Sequence, residues 1–233
     1  MPVGLSRSFL AGLLCLIFGA PVLAADPNWS DAEIDRRLRF LEGRLDEHAT
    51  HGQIWYWSWL GVNAGSTVVN GTLAGLAEDT DDRVAYGSQA VLGALGTADL
   101  LFRPLNARLG ADPIRSLPED TREQKLAKLG AAEELLRGNA ARAEQRTSIW
   151  PHLANALLNG GAGALTAALG NTSDGIINGA TGFLGGEILI WTQPGGPADD
   201  WQDYQNLGKG TASLGVSVTA LPDGAGLALH LKW

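Results

Sequence analysis

The chain has 233 residues, a formal charge of −8, a single cysteine and 31 glycines. The acidic balance excludes a protein that grips nucleic acid through a basic face, and one cysteine excludes a disulfide framework. Glycine stands at roughly twice its usual share and is spread through long uncharged runs rather than gathered into linkers.

Residues 1–25 read as a secretory signal. Arg7 supplies the positive segment, Phe9 through Gly19 the apolar stretch, and Val22-Leu23-Ala24 or Leu23-Ala24-Ala25 the small-residue cleavage site. Cys15 sits inside the apolar stretch behind Leu13-Leu14, which is not a lipoprotein pattern. Cleavage would remove Cys15 and Arg7, moving the formal charge from −8 to −9. The expected location is outside the cytoplasm, in the periplasm or at the outer membrane.

Residues 26–53 predict an amphipathic lead-in helix: Ser30 and Glu33 have the spacing of a capping box, and Ile34, Leu38, Leu41 and Leu45 recur at helical intervals. That helix can run unbroken into residues 54–77, which carry no charge. An acidic turn at 78–83 and a second apolar segment at 84–102, interrupted only by Asp99, complete a hairpin over residues 54–104. Residues 105–148 predict a charged connecting helix, starting at Leu117-Pro118-Glu119-Asp120 with proline in its first turn. Its thin stripe of Leu126, Leu129, Leu135 and Leu136 marks it as a solvated helix that feeds the next segment.

Residues 149–194 repeat the hairpin. Phe40-Leu41-Glu42-Gly43 matches Leu135-Leu136-Arg137-Gly138, Ile54-Trp55 matches Ile149-Trp150, and Gly65 matches Gly160, all 95 positions apart. Past the inner turn, Asp82-Arg83-Val84 with Gly87 aligns with Asp174-Gly175-Ile176 with Gly179 at an offset of 92, which makes the second turn three residues shorter. The predicted fold is therefore mainly α, with two repeated glycine-rich hairpins packed as a bundle. Residues 195–233 add a linker and a C-terminal β-hairpin.

Small residues recur every four positions at Gly61/Gly65, Gly71/Gly75, Gly160/Ala164, Gly175/Gly179 and Gly182/Gly186. At that spacing they share one helix face and let backbones approach, as in a glycine zipper. Each glycine costs about 1 kcal/mol of helix stability relative to alanine, so contact must return that cost.

Length permits these segments to cross a bilayer, but Asn63, Ser66, Asn70, Asp99, His152, Asn155, Asn159 and Glu187 interrupt them. After export, the nine Lys/Arg of residues 103–146 would stay outside while acidic or neutral turns faced the cytoplasm. That reverses the positive-inside rule and argues against an ordinary inner-membrane protein. Trp55, Trp57, Trp59, Trp150 and Trp191 all fall at the open end of the hairpins, as a one-sided interfacial anchor or an aromatic core layer.

In the tail, Leu214, Val216 and Val218 alternate with small or polar residues, Pro222-Asp223-Gly224 marks a turn, and Leu227, Leu229, Leu231 and Trp233 alternate to the end. A strand closing on an aromatic resembles the assembly signal of outer-membrane β-barrels. The resemblance covers only this hairpin, far short of the eight or so strands of a barrel, and implies at most an outer-membrane location. A hairpin packed on the helices is the simpler expectation.

Chemistry is thin. Asp46, Glu47, His48 and His51 are the best candidate cluster for a divalent cation, since His48 and His51 are three apart and Glu47 and His51 four apart on a helix, although Ala143 and Arg146 replace the histidines in the second copy. Asp99 and Glu187 are acids within apolar segments, where burial would raise their pKa. Gly208-Lys209-Gly210-Thr211 lacks the spacing of a phosphate loop, and no cofactor is implied. The leading expectation is an exported, non-enzymatic envelope protein with a membrane-associated structural or assembly role. Its expected partners are a membrane, a membrane-bound complex or further copies of itself. The alternatives are a soluble periplasmic binding or scaffold module with a Trp-rich pocket and, third, a metal-dependent enzyme using His48 and His51.

Overall fold

The computed structural model describes residues 28–207, 213–221 and 224–232. The expected signal at 1–25, the Pro222-Asp223 turn and Trp233 lie outside them. The described chain is mainly helical and forms a bundle.

Helix α1 (Asp31–Glu47) begins where the Ser30 hydroxyl accepts from the Glu33 N–H at 3.3 Å. The reciprocal half of the expected capping box is diverted, because the Glu33 carboxylate is held by Arg36 and Arg37 instead. Ile34, Leu38, Leu41 and Leu45 are buried along one face. The lead-in does not run unbroken into the hairpin. His48 caps α1 and opens α2 (Ala49–Leu76), which pairs with α3 (Thr80–Phe102).

A 3-10 turn (Asn106–Leu109) and a one-turn helix α4 (Asp112–Arg115) then lead to α5 (Arg122–Thr147). The start of α5 falls after the predicted point: Thr121 and Gln124 form a complete capping box, and Pro118 precedes the helix. The second hairpin is α6 (Ile149–Leu169) and α7 (Thr172–Thr192), followed by α8 (Pro197–Asn206). Strands β1 (Ser213–Leu221) and β2 (Gly224–Lys232) pair antiparallel, with Ser213 opposite Lys232 and Leu221 opposite Gly224.

The main apolar core lies at the base, between α1, α4, α5 and α8. It centres on Ile34, Leu41, Leu129, Ala132 and Leu136, with Tyr204 reaching in from α8. Helix α5 is therefore not the solvated connector expected of it. Ala132, Ala140 and Ala143 complete the stripe that the leucines alone make look thin, and even Lys128 is buried, neutralised by Glu119 at 2.6 Å and Glu42 at 3.5 Å. A smaller cluster of Trp55, Tyr56, Leu100, Leu105 and Ala107 ties the root of the first hairpin to the 3-10 turn.

Two glycines fix that junction. A Cβ on Gly52 would lie 2.8 Å from the Arg108 backbone nitrogen. Gly110 adopts φ +58°, and a Cβ there would sit 2.8 Å from the Asp46 carboxylate. Asp46 in turn accepts from the Ala111 N–H at 3.0 Å and pairs with Arg115, whose guanidinium holds the carboxyl below its usual range.

Leu41→Ala is expected to cost about 2–5 kcal/mol, as an unrelaxed cavity in the base core. Leu157→Ala on α6, where the side chain is 67% exposed, should stay within about 0.5 kcal/mol. Denaturant unfolding followed by circular dichroism measures both, and equal losses would contradict this placement of the core.

Candidate functional site

The hairpins are packed through carboxamides set against glycines. In the first, the Asn63 side chain on α2 occupies the space that a Cβ on Gly96 of α3 would need, while a Cβ on Gly93 would lie 2.8 Å from the Asn63 carbonyl and from Thr67 Oγ1. In the second, Asn159 on α6 fills the space beside Gly182 of α7, Asn155 fills that beside Gly186, and a Cβ on Gly179 would lie 3.3 Å from the Asn159 carbonyl. Gly175 and Gly163 complete the contact: a Cβ on Gly163 would stand 2.6 Å from the Gly175 carbonyl. The asparagines are also bonded to their own helices, Asn63 Nδ2 to the Trp59 carbonyl at 2.8 Å and Asn159 Nδ2 to the Asn155 carbonyl at 3.1 Å.

This geometry corrects the repeat register. Asn63 corresponds to Asn159 and Thr67 to Gly163, an offset of 96 rather than 95, while Gly93 and Gly96 correspond to Gly179 and Gly182 at 86. From the asparagine to its first glycine the chain runs 30 residues in the first hairpin and 20 in the second. The difference is thus ten residues, not three.

Of the glycines expected to line a contact, Gly175, Gly179, Gly182 and Gly186 do so. Gly61, Gly65, Gly75 and Gly160 do not: a Cβ on any of them would meet nothing within 4 Å, and Gly71 approaches only Ala90 Cβ at 3.9 Å. Ala164 is likewise exposed. Four-residue spacing places small residues on one face without saying which face the neighbour takes. The significance of Gly93 and Gly96 depends on Asn63 opposite, and that of Gly163 on Gly175 and Gly179 of the facing helix, none of which spacing along one helix reveals.

The resulting hairpins are inverted relative to a water-soluble bundle. Thr166 is 0% and Asn159 7% exposed, whereas Val68, Leu157 and Ile176 are 68%, 67% and 66% exposed. Polar contacts join the hairpins near their turns, with Thr166 Oγ1 donating to Ser88 Oγ at 2.9 Å and Gln89 to the Asn178 carbonyl at 3.3 Å. At the base, Trp55 Nε1 donates to the Leu189 carbonyl at 3.0 Å and Trp59 Nε1 to Thr192 at 3.2 Å. Between these two sets of bonds lies a cleft of about 850 Å³. Trp59 and Trp150 line it, Trp57 and Trp191 are exposed, and Trp55 is buried, so the five tryptophans are not one surface cluster.

The proposed metal ligands part company. His48 Nε2 meets Asp200 at 2.7 Å, His51 Nε2 meets the Thr192 carbonyl at 3.0 Å, and Glu47 accepts from Arg44 at 2.9 Å. Among the described residues no group of three or more His, Cys, Asp or Glu side chains could hold a metal ion. Asp99 is paired with Arg103 at a half-exposed position. Glu187 contradicts the expectation of a raised pKa. Burial pushes its carboxyl up, but hydrogen bonds from Asn155 at 2.9 Å, His152 at 2.7 Å and Trp191 at 3.2 Å outweigh it and hold the group below its usual range.

No described helix is long and apolar enough to cross a membrane. Comparison with protein-family models, curated proteins and solved structures gave no match for this chain.

Two outcomes test the site. Gly175→Leu should unfold or strongly destabilise the second hairpin, since its Cβ would press on the Gly163 carbonyl and on Ala167, whereas Gly160→Leu should leave the melting temperature of the isolated chain nearly unchanged. Equal effects would refute the inward and outward assignments. For Glu187, a folded pKa below the unfolded one means that its contribution is complete above the ordinary carboxylate range and is lost as pH falls through the folded value. Glu187→Gln should therefore flatten the acid side of the stability-pH curve, and an unaltered slope would show that the carboxylate is not stabilised by folding.

Proposed function

We propose that this is an exported, non-enzymatic envelope protein whose two glycine-rich hairpins form an apolar coat for burial against a membrane, a membrane-bound complex or further copies of the chain. The observation that carries this reading is the inversion of the hairpins. Their small and polar residues are spent on one another, which leaves valine, leucine and isoleucine outermost on four helices. Large exposed apolar surfaces mark sites of association.

The outward glycines support the same reading. Gly61, Gly65, Gly75 and Gly160 each weaken a helix by about 1 kcal/mol and gain no close contact among the described residues. Their use then lies outside it, where small residues let another helix approach. The coat does not require any helix to span a bilayer, since association at its surface or with copies also covers apolar area. The small C-terminal β-hairpin belongs to this reading as an appendage to the bundle. The cleft between the hairpins favours a second role, as a binding module, which is compatible with the first.

Carbonate extraction of membranes from cells making the mature protein should leave most of it in the pellet, with release by detergent. Light scattering of the detergent-solubilised protein should report an assembly that Gly61→Leu/Gly65→Leu reduces in mass without unfolding the chain. Complete release by carbonate together with a wild-type mass that is monomeric in the absence of detergent would overturn the proposal.

A further inference from the structure

The cleft between the hairpins has one chemistry along its walls and another at its base. Val62, Leu92, Leu95, Leu158 and Leu189 supply an apolar lining, and its volume of about 850 Å³ falls within the range of small-molecule sites. The wall carboxamides are already engaged. Asn63, Asn155 and Asn159 donate to the Trp59, Phe183 and Asn155 carbonyls respectively, and fill the spaces beside their glycines. Little remains there to read a polar ligand such as a sugar or nucleoside.

The base of the cleft is cationic. Arg103, Arg142 and Arg146 line it, with Asp99 as the acid among the lining residues, and Asp99 is taken by Arg103. Arg146 donates through Nη1 to the Trp191 carbonyl at 3.2 Å, but its Nε is buried with no hydrogen-bond partner among the described residues, and its guanidinium occupies the space a Cβ on Gly195 would need. Arg142 has no ion pair and no side-chain hydrogen bond among the described residues. Burial, and then the nearby charge of Arg103, lower its pKa against the smaller opposing pull of the Asp99 carboxylate. An arginine nevertheless keeps its proton, so the base of the cleft holds three positive charges against the one carboxylate of Asp99, with Arg142 partly desolvated.

We propose that this cleft binds an anionic amphiphile, with the acyl chain along the apolar walls and a carboxylate or phosphate head on Arg142 and Arg146. An apolar ligand alone would leave the arginines uncompensated. A small anion alone would leave the apolar length of the cleft unused. An amphiphile answers both, whether drawn from free fatty acid or from an anionic lipid in a bilayer. The site does not depend on what covers the outer coat, so it can fail or stand separately from the assembly role.

The test uses the mature protein and the polyene fatty acid cis-parinarate, whose emission accepts energy from Trp59 and Trp150 at the cleft. Its methyl ester is the uncharged control. Saturable binding of the acid, at least about tenfold tighter than the ester, is expected, and Arg142→Gln should remove most of that preference while Arg142→Lys retains part of it. Phosphatidylglycerol vesicles against phosphatidylcholine vesicles provide the second arm. A charge preference seen only with vesicles assigns the ligand to a bilayer lipid, and one seen only with parinarate assigns it to a free acid. Equal affinity for acid and ester, with no preference for anionic vesicles, would overturn the proposal, and this comparison needs only the wild-type protein.

Discussion

Everything above the base of this molecule depends on a carboxamide filling a space where no side chain grows. Asn63 beside Gly96, and Asn159 and Asn155 beside Gly182 and Gly186, bring paired helices so close that the contact surface is largely backbone. Such a contact consumes small and polar residues. Each asparagine also satisfies its donor on a carbonyl one turn away or across the pair, so its burial is not left uncompensated. With the interior made this way, bulky apolar residues have nowhere to go but outward. The exposed coat is thus a consequence of the chosen interior rather than a separate feature.

The base follows the opposite rule. There α1, α5 and α8 bury leucine, isoleucine and alanine, and charged residues such as Asp35 with Lys125 pair at its edges. One chain therefore combines a conventional water-soluble core with an inverted one. The join between them is close-packed: Gly52 against the 3-10 turn, Gly110 against Asp46, and Trp55 and Trp59 bonded to the end of α7. Bonds from α2 to α7 mean that the first hairpin is braced by the second at its root.

Much of this organisation was legible in the sequence, for identifiable reasons. The hairpins announce themselves because uncharged runs bounded by acidic turns admit few other readings, and Ile34 through Leu45 give a clean helical period. The burial of helix α5 is not legible in the sequence, because a stripe completed by Ala132, Ala140 and Ala143 carries little hydropathy, though alanine suits a crowded interface well. Helix α8 was hidden by the expectation of a linker, yet Pro197 in the first turn, Asp199 and Asp200 beside it, and Tyr204 further along are a helix start and an inward face. The glycine assignments failed for a deeper reason. A face is defined by the helix, but whether it is inside is defined by the partner, and Asn63, Asn155 and Asn159 discriminate. A search for asparagine opposite paired glycines would have found the right register.

That register also explains why the two hairpins are not equivalent. The ten extra residues between Asn63 and Gly93 put three in the first arm, six in the second and one in the turn, or roughly 4 and 9 Å of helix. The turns nevertheless meet, since a Cβ on Gly170 would lie 3.3 Å from the Asp81 Cα. With the turns in contact there, the close contact of the first hairpin sits several ångströms nearer the base than that of the second. The hairpins therefore present different layers to each other. Ser88 and Gln89 meet Thr166 and Asn178 near the turns, and toward the base the helices stand apart around the cleft. Duplication alone would favour a symmetric closed bundle. Unequal arm length makes it an open one, with its space directly above the arginines.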